Sequence, residues 1–209
     1  MILRRWAIAL KKTFRASERG RVDIKAKREQ WMWYQLMWNP KKLVFLDETG
    51  VNTKMARLYG RSLRGQRCHG HVPYGHWNSS TFLAALRYDH LSAPLLIDGA
   101  MDGQMFVAYV EQELCPTLTK GDIVICDNLR AHKVKGVREA IEAVGAQILY
   151  LPAYSPDLNP IEMALAKFKA LLRHAAKRTW DDLVKAVADV IDSFTQQDCS
   201  NFFKHCQYV

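Results

Sequence analysis

A mixed α/β sheet covered by helices is the fold class that this sequence predicts. Three features point to it. Two short aliphatic runs, 43–47 and 123–127, have the length of buried strands and each ends in an acid. Beyond residue 100, apolar runs alternate with stretches of helical spacing. Hydrophobic residues make up 49% of 209, enough to fill a core. The length suits one medium domain with an appendage. No apolar run approaches the roughly 18–20 residues of a membrane helix. After Met1 only a five-residue apolar patch, 6–10, precedes Lys11-Lys12, too short for a secretory signal. The five cysteines form no Cys-x-x-Cys, which reads as reduced thiols of a cytosolic protein.

Charge divides the chain. Residues 1–42 hold 12 Lys/Arg against three acids, a net of +9, which is the whole excess of the chain; residues 43–209 hold 18 of each and are neutral. The break falls at Asn39-Pro40-Lys41-Lys42, a turn-like cluster. The expected organisation is therefore a basic helical arm, 1–42, and a main domain, 43–209. In the arm, helices are expected over 1–12 and 21–38. The second carries Trp31, Trp33, Tyr34, Met37 and Trp38, so packing on the main domain and contact with an anionic partner both fit it.

In the main domain, 43–47 is the first strand. Strands 80–88 and 91–97 follow, joined near Asp89-His90. Helical spacing over 102–114 (Phe106, Tyr109, Val110, Leu114) stops at Cys115-Pro116. Gly121-Asp122 opens strand 123–127; a helix over 133–144 closes at Gly145; 146–151 is the next strand. Segment 152–160 is too proline-rich for regular structure. A helix from 160 to 174 places Ile161, Leu165, Phe168 and Leu172 on one face, and helices over 181–194 and 197–204 end the chain.

Asp47 and Asp127 each close a run of aliphatics, where an unpaired carboxylate is costly to bury. If their strands are parallel neighbours, both acids emerge at the carboxyl edge of the sheet, where α/β folds place their sites. Adjacent carboxylates repel unless a cation lies between them, and Mg²⁺ accepts one or two carboxylates together with phosphate oxygens. Glu162 is the third candidate, in the first turn of a helix begun by Asn159 at the N-cap and Pro160 at N1. Taken singly, Glu162 also fits a capping-box acid, and Asp47 and Asp127 also fit strand-end turn acids.

Taken together, three blocks resemble a known pattern. Asp47-Glu48-Thr49, Asp127-Asn128-Leu129-Arg130-Ala131-His132-Lys133 and the run from Leu151 through Ser155-Pro156-Asp157-Leu158-Asn159-Pro160-Ile161-Glu162 resemble those of the IS630/Tc1/mariner superfamily of DDE transposases, with 34 residues between Asp127 and Glu162. Tyr59-Gly60-Arg61, Pro73-Tyr74-Gly75-His76-Trp77, Met101-Asp102-Gly103 and 11–19 are similar to bacterial IS630 members. The resemblance implies an RNase H-like fold with Asp47 on the first strand, Asp127 on the fourth and Glu162 on a later helix. It implies that these three acids are the catalytic residues and the ligands of two Mg²⁺ (or Mn²⁺) ions. The implied partners are double-stranded DNA, namely terminal inverted repeats and a TA target, met by a homodimer. A bacterial, nucleoid-associated protein without a membrane anchor is the expected setting. The superfamily carries a helix-turn-helix region ahead of the catalytic domain, and 1–42 resembles its tail. Leu165 stands where mariner-type relatives often have Trp. A truncated DNA-binding remnant that no longer transposes is the alternative.

Lys54, Arg57, Arg61, Arg64 and Arg67 form a cationic stretch without acids, and Lys167, Lys169 and Arg173 form a second on the helix after Glu162; both are expected DNA contacts. His132, five residues after Asp127, is a candidate to contact DNA or to orient the site, with a polar residue at a helix start as its plainer reading. Glu48 points to the face opposite Asp47 and is set aside, and Asp122 begins its strand at the end away from the site. Cys68, His69, His71 and His76 match no common zinc spacing.

Overall fold

The computed structural model describes residues 16–57, 59–74 and 79–209. The helix expected over 1–12, and Gly75, His76 and Trp77 of the resemblance, lie outside them.

Five strands form one sheet in the order β3-β2-β1-β4-β5. They are β1 (Leu43–Val51), β2 (Ser80–Leu86), β3 (Leu91–Asp98), β4 (Ile123–Cys126) and β5 (Gln147–Tyr150). β1, β2 and β3 run antiparallel as a meander, and β4 and β5 run parallel to β1. Each parallel crossover needs a helix, which is why helical spacing begins where the chain leaves the meander. The central strands read as continuous aliphatic runs because both faces are covered.

One face carries Leu43, Phe45, Phe82, Ala84 and Ile125, packed against α4 (Pro160–Ala175), α5 (Trp180–Asp192) and α6 (Gln196–His205). The ring of Phe82 stacks on Phe168 of α4 at 4.1 Å between centroids. On the other face Val44, Leu46, Val124 and Cys126 pack against α2 (Gly103–Tyr109) and α3 (Val137–Ala143). Alternation along β1 thus sends odd residues to α4 and even residues to α2 and α3.

Helix α1 (Val22–Gln35) of the basic arm docks on this body. Its inward stripe is Ile24, Arg28, Trp31 and Gln35, the three- to four-residue spacing of one helical face. Trp31 joins the α4-side core and donates its indole N–H to the Tyr208 hydroxyl at 2.8 Å. Gln35 donates to the carbonyls of Cys206 and Gln207. Trp33, Leu36 and Met37 face outward.

Several elements differ from expectation at their ends. The helix expected over 133–144 is confined to α3, because Gly136 adopts φ 105° and interrupts the chain after a short 3₁₀ turn, Ala131–Lys133. Helix α2 gives way to a π turn, Val110–Leu114, and stops at Pro116, which lacks an N–H to continue it. β4 ends at Cys126, one residue short of the expected strand, so Asp127 lies just beyond the ladder.

Candidate active site

The register places the first two acids side by side. Phe45 pairs with Ile125 and Leu46 with Cys126 in the parallel β1–β4 ladder, so Asp47, inside a β1 that runs four residues beyond the expected end, stands level with Asp127 just past β4. Glu162, in the first turn of α4, faces the same edge and lines a cavity of about 390 Å³ with Asp127, Ser155 and Asn159.

The electrostatics are those of crowded like charges. Asp47 is 9% exposed; burial pushes its carboxyl up to about 7, Glu162 and Asp127 push the same way, and the Glu48 backbone N–H pulls back. Glu162 is raised by partial burial and by Asp127, against the pull of Lys169. Neither acid has a salt bridge to a cation among the described residues. An all-oxygen, mutually repelling donor set of this kind fits a hard divalent cation. Among the described residues, no three Asp, Glu, His or Cys side chains are drawn close enough to cage an ion as arranged. Asp127 sits against His132 instead.

Asn159 departs from its expected role. It stands at the N-cap of α4 with φ −112° and ψ 95°, yet its side chain caps nothing. Its amide Nδ2 donates to Asp47 Oδ2 at 3.1 Å, a contact that turns the side chain toward the acid. Its Oδ1 is buried without a partner. The capping-box reading of Glu162 also drops out: the Asn159 N–H that such an acid would accept donates to the Pro156 carbonyl.

His132 is corrected. Of its readings, DNA contact is excluded: it is fully buried, with its ring stacked on Phe106 at 4.6 Å between centroids. Its Nε2 lies 2.8 Å from Glu48 Oε2, and its Nδ1 lies 2.7 Å from Asp127 Oδ1. The second approach is an ion-pair contact without good hydrogen-bond alignment. Burial alone would lower the His132 pKa, but the two carboxylates outweigh it and lift it to about 9. Glu48, set aside because it faces away from Asp47, does face away, and for that reason it meets His132. A half-buried carboxylate on a covered face needs a partner, and that was the missed signal.

The cations divide. Lys54, Lys169 and Arg173 line one cavity of about 280 Å³ beside Gly50 and Asn52. Arg57, Arg61, Arg64 and Arg67 are exposed on the irregular segment after β1. Lys167 is corrected: its ammonium is bound to Asp198 at 2.7 Å and sits over the Phe194 ring, which turns it toward α6. Asp122 has the structural role expected for it. It is buried against Arg87 at 2.8 Å and Lys42 at 3.3 Å; burial would raise its pKa, and Arg87 and Thr119 bring it below the usual range.

Two neighbouring carboxylates and a helix-borne glutamate beside such a sheet make up the candidate site, and the chain belongs to the DDE superfamily endonuclease family, whose pattern matches residues 42–184. Its RNase H-like fold is that of the Mos1 transposase catalytic domain. The catalytic domain of the Mos1 mariner transposase superposes with a TM-score of 0.66 at 15% identity, covering 95% of this chain and 94% of that one. The Mos1 transposase paired-end complex with left transposon end gives 0.76 at 15% identity over 97% of this chain and 64% of that one. The mariner Mos1 paired-end complex with Mg gives 0.71 at 15% identity over 98% and 66%. This chain thus spans about two thirds of the longer Mos1 chains. No curated protein matches it. Among the described residues no helix is long and apolar enough to cross a membrane.

Proposed function

We propose that the chain is the catalytic part of an IS630-type DNA transposase. Asp47, Asp127 and Glu162 would be its catalytic residues, and residues 1–42 the tail of a DNA-recognition region ahead of the domain 43–209. The carrying observation is the level placement of Asp47 and Asp127 on paired parallel strands, with Glu162 raising the pKa of Asp47 from α4. The proposed reaction is hydrolysis of a phosphodiester at a transposon end, which frees a 3′-hydroxyl. That hydroxyl then attacks target DNA at a TA step and displaces the 3′ oxygen of the target bond. The similar Mos1 complexes with a transposon end and with Mg support this reading.

Asp47 and Asp127 would hold Mg²⁺ or Mn²⁺ jointly, with Glu162 on one of two ions. When bound, such a pair supplies Lewis acidity at the attacking and leaving oxygens of an in-line displacement. The chain's own residues do the rest. Asn159 keeps one oxygen of Asp47 in place through its amide donor. Lys54, Lys169 and Arg173 flank the approach to the acids and would take backbone phosphates, with the exposed arginines 57, 61, 64 and 67 extending that track. A homodimer would present two such sites to paired ends.

The test is nicking of supercoiled DNA carrying terminal inverted repeats, in Mg²⁺. Wild-type chain should nick it. Asp127→Asn and Glu162→Gln should fall to background while still shifting the same DNA in EDTA, since only the charge that holds the cation is removed. Nicking by Asp127→Asn would sink the assignment. DNA binding without nicking by the wild-type chain would favour the transposition-inactive remnant.

A further inference from the structure

The polar chain Glu48–His132–Asp127 links the two strands that carry the proposed ligands, yet none of the chemistry above uses its middle member. Asp127 lies one residue past β4, where ladder hydrogen bonds no longer restrain it. Its Oδ1 is engaged twice, by the Leu129 backbone N–H at 3.0 Å and by His132 Nδ1 at 2.7 Å, and Oδ2 accepts nothing from the described residues. His132 is itself fixed on every side. Glu48 holds Nε2, Phe106 covers the ring, and the Tyr150 hydroxyl donates to the His132 carbonyl at 2.9 Å. Residues that orient a metal ligand in this way set both its rotamer and its basicity.

We propose that His132 is a positioning residue for Asp127: anchored by Glu48 on β1, it holds Asp127 through Oδ1 and leaves Oδ2 to a divalent cation. The role rests on the metal-dependent reading above. It is distinct from DNA contact, which burial denies to this side chain. Glu48 acts one step further out, fixing the ring rather than touching Asp127.

Two variants of the full chain separate positioning from mere filling of space. His132→Asn keeps an amide donor near the Nδ1 position, facing Asp127. His132→Gln moves the donor to the Nε2 position, facing Glu48. Mn²⁺ binding, read from the electron paramagnetic resonance of free Mn²⁺, should weaken about 10–100-fold in His132→Gln and within about threefold in His132→Asn. Circular dichroism establishes that each variant is folded. Equal binding by the two variants, whether strong or weak, overturns the proposal. A measurement on wild-type protein covers the case of a variant that does not fold: Mg²⁺ should move the ¹⁵N resonance of His132 Nδ1 more than that of Nε2. A resonance unmoved at saturating Mg²⁺ overturns the proposal as well. Failure of the underlying reading has a different signature, namely Mn²⁺ binding that is absent in wild type or unaffected by Asp127→Asn.

Discussion

At Asp47, burial and neighbouring carboxylates lift the folded-state pKa to about 7, against an ordinary value of 3.8. A raised carboxyl favours the fold when protonated. Its contribution is therefore complete below about pH 4 and is lost as pH rises through 7. In EDTA, Asp47→Asn should be more thermostable than wild type at pH 8, by on the order of a few kcal/mol, and should lose that advantage at pH 4. Added Mg²⁺ should stabilise wild type at pH 8 but not the variant, because only the charged carboxylate binds the ion. Melting curves across pH 4–8 with and without Mg²⁺ read both effects, and a variant no more stable than wild type at pH 8 would contradict them. The three acids were legible in the sequence through the blocks that carry the resemblance and the aliphatic runs before Asp47 and Asp127, although β1 runs on past Asp47 to Val51. Asn159 and Glu48 were legible only as residues with ordinary local roles, and His132 as a candidate without a partner, since what defines them is a contact 112 or 84 positions away.

Among the elements, α1 and the proline-rich loop before α4 behave as one unit. Arg28 donates both Nη groups to Asp157, at 3.1 and 2.8 Å, and Arg19 adds a third contact at 2.8 Å. The Trp31 indole holds the Tyr208 hydroxyl, which in turn donates to the Leu158 carbonyl at 2.9 Å. Asp157 and Leu158 immediately precede Asn159, so the basic arm braces the segment that carries the donor to Asp47. Arg28 is buried, whereas Asp157 is 44% exposed, and solvent therefore screens part of the pair. Arg28→Ala should cost about 1–3 kcal/mol, less than the loss of a fully buried partner. Hydrogen exchange should speed up in α1 and in residues 156–159 together. Exchange changes confined to α1 would show that the two are not coupled. The aromatic content of the arm pointed equally to packing and to partner contact. The fold answers residue by residue: Ile24 and Trp31 pack, while Trp33 and Met37 stay outside.

Across the whole molecule, the +9 of the chain belongs to residues 1–42, and the neutral remainder separates its charges in space. Asp47 and Asp127 stand level where β1 runs past β4, while Lys54, Lys169 and Arg173 share one cavity, and of these Lys169 acts on Glu162. On non-specific duplex DNA, each cation that neutralises a phosphate adds nearly one to the slope of log affinity against log salt. Lys169→Ala and Arg173→Ala should each lower that slope by about one, and Lys167→Ala should leave it unchanged because its charge is spent on Asp198. Fluorescence anisotropy over a salt series measures this, and equal slopes for all three variants would remove Lys169 and Arg173 from the interface. Composition, strand-length aliphatic runs, helix periodicity and turn residues are local properties, and they were enough to specify a mixed α/β sheet and the order of its elements; the choice of the three acids came from the resemblance of their sequence blocks. Partner choice is not local. The β1–β4 register decides that Asp47 and Asp127 are level, and strand alternation under two helical layers decides that Glu48 meets His132. Packing likewise turns Lys167 inward and leaves Lys169 beside Glu162. The Glu48–His132 and Asn159–Asp47 pairs join residues 84 and 112 positions apart, and only chain closure into a packed sheet brings them within bonding distance.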